Sequence, residues 1–193
     1  MSRTGKTAAQ PLLEAAAHAE ARDQESPNHL VRVGRLCRAL AEKLGEQSDY
    51  ASLITPDFRR TIRTAALLHD LGKLDVPTAI LHKPETLSDA EFAVVQTHAE
   101  KGAERIREAL LDAPDDPVLR MGLDIAGAHH ERWDGTGYPR GRRGNAIPLA
   151  ARIMAVVDVY DALRSPRCYK RPFPHALSLD MIVSERGSQF DPA

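Results

Sequence analysis

The residues best able to do chemistry in this chain are histidines and aspartates set inside apolar segments. His69-Asp70 interrupts the run Ala65-Ala-Leu-Leu68 and is followed by Leu71, while His129-His130 ends an apolar stretch. Asp158 lies between Ile153-Met-Ala-Val-Val157 and Val159-Tyr160, and His29 and His98 each stand beside apolar residues. A lone ionised carboxylate in such surroundings is expensive to bury, so it must be paired, hydrogen-bonded or bound to a cation. Neutral imidazoles mixed with carboxylates suit first-row divalent metals better than calcium or magnesium. Taken singly, each residue has a plainer use: Asp158 as a cap or arginine partner, His129-His130 as packing, His98 as helix surface. Their conjunction on separate segments favours the metal reading and supplies enough ligands for two ions. Adjacent helical residues point about 100° apart. His69 and Asp70 therefore reach different sides of a binuclear centre more naturally than they chelate one ion.

Holding such a set together is work for helices, and the sequence predicts them. An Ala-rich helix runs from Leu12 to Asp23. A second begins near Ser26-Pro27, with Ser as N-cap and Pro at the first helical position. It carries Leu30, Val33, Leu36, Cys37, Leu40 and Leu44 at helical spacing and ends at Gly45. A third helix is expected over Phe58 to Leu71, broken by Gly72 and Pro77 into a loop with His82, Lys83 and Pro84. Ser88 and Glu91 form a capping box for a helix to about Leu111. Val118 to His130, Leu149 to Leu163 and Pro174 to Glu185 complete the helices. Residues 133 to 148 hold glycines 135, 137, 141 and 144 and prolines 139 and 148, a long loop of the kind that is usually functional. No strand and no repeat is evident, so the fold class expected is all-α, a compact helical bundle.

Bulk properties narrow the partners. With 193 residues, 42% hydrophobic and 27% charged, the chain is long enough for one domain with a buried core. A net charge of -1 gives no global basic field, so no nucleic-acid polymer is expected as partner. Local basic clusters do exist, at Arg140, Arg142 and Arg143 and at Arg164, Arg167, Lys170 and Arg171. They would attract a dianionic ligand, or form a solvated loop. No uncharged apolar run approaches the roughly 20 residues that span a bilayer. Arg3 and Lys6 have no apolar core behind them, so no secretory signal is expected. Cys37 and Cys168 fit no zinc or redox spacing, which reads as a reducing, cytoplasmic setting.

The motifs also carry a resemblance. His69-Asp70-Leu-Gly-Lys73 resembles the HD superfamily of metal-dependent phosphohydrolases. His129-His-Glu-Arg-Trp-Asp-Gly-Thr-Gly-Tyr-Pro139 resembles the motif that defines the HD-GYP family. Ala21-Arg-Asp-Gln-Glu-Ser-Pro-Asn-His29, Ile80-Leu-His-Lys-Pro84, Ile147-Pro-Leu-Ala-Ala-Arg-Ile153, Asp158-Val-Tyr-Asp-Ala-Leu163, Arg167-Cys-Tyr-Lys170 and Phe190-Asp-Pro192 extend it in order. The similarity implies a polar segment and helix over residues 1–20 and an HD-GYP phosphodiesterase domain over 21–193. It implies hydrolysis of cyclic di-GMP to pGpG or GMP, with two or three divalent metal ions, iron or manganese. Its metal ligands would be His29, His69, Asp70, His98, His129, His130 and Asp158, with Asp70 bridging two ions. Glu25 matches the acidic residue that some members use for a third metal. Pro27 stands where a glycine is common and places Glu25 just outside the helix bearing His29. Lys73 would contact the phosphate under attack, and Tyr138, Arg167, Lys170 and Asp161 match residues that meet the dinucleotide. Relatives of this type continue past Phe190-Asp-Pro-Ala193 into a further helix.

Two other classes remain open at this point. One is an HD phosphohydrolase acting on a mononucleotide or alarmone, against which the segment Gly135-Thr-Gly-Tyr-Pro139 speaks. The other is a weak or inactive module that senses a dinucleotide. Loss of a ligand would favour it, and none is lost. The N-terminal helix is a surface for a homodimer or a regulatory partner protein.

Overall fold

A computed structural model describes residues 7–23, 28–166 and 171–193. The α-helices are α1 (Gln10–Asp23), α2 (His29–Leu44), α3 (Ser48–Ala51), α4 (Pro56–Ala65), α5 (Thr78–Leu81), α6 (Asp89–Asp112), α7 (Pro117–Ala126), α8 (Leu149–Arg164) and α9 (His175–Ser184). No strand occurs among the described residues; one isolated bridge pairs Arg186 with Phe190. No described helix is long and apolar enough to cross a membrane.

Helix starts follow side-chain capping. Thr55 accepts from the Phe58 amide with Pro56 in the first turn, and Asp116 accepts from the amides of Val118 and Leu119 with Pro117 behind it. Ser88 and Glu91 close a reciprocal capping box at α6. At α2, Asn28 sits at φ 62° and offers no side-chain cap. Glu20 of α1 takes that role by accepting from the Leu30 amide at 3.1 Å. Ser26 and Pro27, expected to open this helix, lie outside the described residues.

The core has two main parts. Val33, Cys37, Ile62, Ile125, Ile153 and Met154 join α2, α4, α7 and α8. Ala16, Leu68, Leu71, Ile106 and Leu119 join α1, the chain after α4, α6 and α7. Each large aliphatic side chain so buried contributes about 1.5–3 kcal/mol. The junction that carries His69 and Asp70 lies between the two parts, with Ala65 and Ala66 in the first and Leu68 and Leu71 in the second.

Two helix ends differ from expectation, both next to the candidate ligands. The helix expected to reach Leu71 stops at Ala65, and the chain tightens into 3-10 turns over Ala66–Leu68 and Leu71–Asp75. The reason is long-range: Gly72 lies against α6 so closely that a Cβ there would stand 2.0 Å from the His98 carbonyl oxygen. The helix expected to reach His130 ends at Ala126, leaving His129-His130 in a turn whose His129 amide donates to the Ile125 carbonyl at 2.9 Å.

Candidate metal centre

Five segments deliver the chemistry-bearing residues to one place. The start of α2 supplies His29, the junction after α4 supplies His69 and Asp70, and α6 supplies His98. The turn after α7 supplies His129 and His130, and α8 supplies Asp158. They fall into two groups, Asp70 with His98, His129 and His130, and His29 with His69 and Asp158. Within each group the ligand atoms lie within 4.8 Å of one another. Asp70 stands between them. Its Oδ1 is 3.2 Å from His98 Nε2 and 3.7 Å from His129 Nε2, while its Oδ2 is 3.2 Å from His69 Nε2.

In four of the five rings, those of His29, His69, His98 and His129, the outer nitrogen is tied to the chain. Nδ1 of His69 donates to the Ala66 carbonyl at 2.9 Å, and that of His98 to the Val95 carbonyl at 2.6 Å. His129 Nδ1 donates to the carbonyls of Ile125 and Ala126 at 3.0 and 3.2 Å. A carbonyl can only accept, so Nδ1 carries a proton in each of these rings and Nε2 is the nitrogen left to meet a cation. His29 Nδ1 donates likewise to Asp161 Oδ2 at 2.8 Å. Nε2 of His29, His69, His98 and His129, and Oδ1 of Asp70, are buried without a hydrogen-bond partner. An unmatched buried polar atom costs about 1–3 kcal/mol. Five such atoms in one cluster fit a divalent cation, because imidazole nitrogen and carboxylate oxygen are donors it takes.

The electrostatics agree with that fit. Burial pushes the His129 imidazole down, and burial together with His129 pushes His130 well down, so both stay neutral. Burial also pulls His69 down, but the Asp70 carboxylate outweighs it and lifts the group to about 9, a proton that a cation must displace. Burial opposes ionisation of Asp70; the Lys73 ammonium and His69 overcome it and hold the carboxyl well below its usual range. Lys73 Nζ lies 2.7 Å from Asp70 Oδ2 and 2.5 Å from Asp23 Oδ2.

The loop after the histidines forms the rim. Tyr138 stacks on His130 with centroids 4.7 Å apart and planes at 27°, and meets Phe92 edge to face at 6.3 Å. Glu131, which the sequence did not single out, is buried and accepts from the amides of Arg140 and Arg142, each at 2.9 Å. It pins the Gly-rich loop from inside. The Arg140 side chain pairs with Glu100 at 2.9 Å, and Trp133 packs under the Arg152 guanidinium.

Asp161 requires a correction. Matched with dinucleotide contacts, it instead lies buried behind His29, receiving that imidazole and the Arg32 guanidinium at 2.7 and 2.8 Å. Burial opposes its charge, yet Arg32 and His29 hold its carboxyl far below the usual range. Both oxygens are occupied, which sets it to orient the His29 ring. Glu25, Arg167 and Lys170 lie outside the described residues.

An all-helical fold with an imidazole and carboxylate cluster on a His-Asp junction defines a class, and comparison with known proteins gives its name. The profile of the HD domain family matches residues 21–193, and the chain belongs to that family. It is 42% identical over 182 residues to a cyclic di-GMP phosphodiesterase of Vibrio cholerae, covering 94% of this chain and 37% of that protein. It is 36% identical to 3'3'-cGAMP-specific phosphodiesterase 2 of the same organism, over 90% of this chain and 31% of that one. The chain thus spans well under half the length of these relatives. An HDG"Y"P protein from Bdellovibrio bacteriovorus shares the fold, with a TM-score of 0.60 at 22% identity over 95% of this chain and 57% of that one.

Proposed function

We propose that this chain is a metal-dependent phosphodiesterase that hydrolyses cyclic di-GMP, acting in cytoplasmic second-messenger signalling. The observation that carries this reading is the clustering of four buried, unpartnered imidazole nitrogens around a carboxylate that faces two ligand groups. The names of the relatives support the substrate. We assign His29, His69 and Asp158 to one cation and His98, His129 and His130 to another, with Asp70 between them. Iron or manganese suits this donor set. A third cation would call on Glu25.

When bound, such cations supply Lewis acidity toward phosphoryl oxygens and activate water near neutral pH. The chain's own part is positioning. Lys73 holds a non-bridging oxygen of the scissile phosphate, and Tyr138 walls the cleft beside His130. Arg167 and Lys170 bind the rest of the dinucleotide.

A second reading, a mixed guanine-adenine cyclic dinucleotide, draws on the 36% identity to a relative named for that specificity. Incubation of pure protein with manganese or ferrous iron and each dinucleotide, with products separated by chromatography, decides between them. Cleavage of cyclic di-GMP to pGpG or GMP is the expected result. Turnover of a mononucleotide with no dinucleotide cleaved overturns the proposal, and binding without turnover makes the chain a sensor. Metal analysis of the wild type and Glu25→Ala counts the ions; a third is excluded when both hold two.

A further inference from the structure

Among the described residues Lys73 is shared between two carboxylates, and only one of them belongs to the ligand cluster. Its ammonium lies 2.7 Å from Asp70 Oδ2 and 2.5 Å from Asp23 Oδ2. Asp23 is the last residue of α1, with its side chain 12% exposed. A carboxylate at a helix C-terminus opposes the helix dipole, so local preference does not account for it. What it meets is a lysine 50 residues further along the chain.

The rest of that helix turn is fastened toward the same region. Arg22 donates to the carbonyls of Leu74 and Val76 at 2.6 and 2.8 Å, on either side of Asp75. Glu20 receives the Leu30 amide, one residue from His29. Glu20, Asp23, His29, His69, Asp70 and Lys73 line one small cleft beside the cluster. Asp23 is thereby held at a fixed place relative to both Lys73 and Asp70.

We propose that Asp23 is a positioning residue for Lys73. An ammonium paired with Asp70 alone would compete with a cation for the same oxygen. A second carboxylate on its other side shares the ammonium and weakens its hold on Asp70 Oδ2, so that a cation can take that oxygen while Lys73 stays at the cleft for a phosphoryl oxygen. The inference rests on the phosphodiesterase reading for its substrate half, while its Asp70 half concerns cation binding alone.

The test is a double-mutant cycle on the full chain with Asp23→Asn, Lys73→Met and the double variant, plus Asp23→Glu. Melting temperatures identify any variant that fails to fold. Manganese affinity and the kcat and KM for cyclic di-GMP are read for each. Asp23→Asn is expected to weaken manganese binding and lower kcat/KM by about tenfold, the scale of a lost supporting contact at a metal site. In the Lys73→Met background the same change should add less than about twofold, and Asp23→Glu should recover part of the loss. Losses that multiply across the cycle, or an Asp23→Asn variant with unaltered manganese affinity, overturn the proposal. A wild type that cleaves no dinucleotide sinks the substrate reading instead. The manganese arm then decides alone: weakened binding in Asp23→Asn supports the inference and unaltered binding overturns it.

Discussion

A carboxylate whose two oxygens face different ligand groups could serve two cations, the role proposed for Asp70. Its Oδ1 looks toward His98 and His129 and its Oδ2 toward His69. Asp70→Ala should therefore strip metal and cut turnover by at least about a hundredfold, read by metal analysis and a dinucleotide assay. Full activity in that variant would sink the mechanism. Asp161 makes a different prediction. Asp161→Asn should lower metal affinity by about 10–100-fold through loss of His29 orientation. If KM rises while metal affinity holds, the residue meets substrate after all. The resemblance set Asp158 among the metal ligands and Asp161 among the dinucleotide contacts, although residues three apart share one helix face. Arg32 on α2 separates them by claiming both oxygens of Asp161. The seven candidate ligands were legible as polar residues in apolar runs. The roles of Asp23 and Glu131 were not, because their partners are a distant lysine and loop amides that sequence spacing does not reveal.

At the scale of elements, most helix boundaries were readable, and the two ends beside the candidate ligands, those of α4 and α7, were not. Caps are local chemistry, as at Ser88, where replacement by Ala should cost about 1 kcal/mol in urea unfolding. Glu91 ties this cap to pH. Lys83 and the Ser88 amide hold its carboxyl at about 2, below its ordinary 4.5. Its contribution to stability is full above about 4.5 and is lost as pH falls toward 2. The gap between wild type and Glu91→Gln should therefore narrow on going from pH 7 to pH 2.5; a gap that widens contradicts the assignment. The early end of α4 has a remote cause, the contact of Gly72 with the α6 backbone, and periodicity carries no trace of it. Gly72→Ala should cost about 1–3 kcal/mol and push His98 away from Asp70, seen as lower melting temperature together with weaker metal retention. A loss of stability with metal retention intact would show that the contact serves packing alone.

Across the whole molecule, the segment after α9 is tied to the rim of the centre. The amides of Trp133 and Asp134 donate to the carbonyls of Gln189 and Ser188 at 3.0 and 2.9 Å. Arg152 pairs with Asp191 at 2.6 Å, with side chains 10% and 14% exposed. Removing one partner of so covered a pair should cost about 3 kcal/mol. Asp191→Ala should also loosen the Gly-rich loop, raising KM more than it lowers kcat. The inward-facing imidazole nitrogens have a consequence of another kind. A cation that binds the folded chain and not the unfolded one adds about 2.7 kcal/mol of stability when present at a hundred times its Kd. Chelation should then lower the melting temperature and hasten proteolysis. Scarcity of metal in the cell would thin the population of this protein as well as silence it, so supply of the ion would govern abundance and activity together.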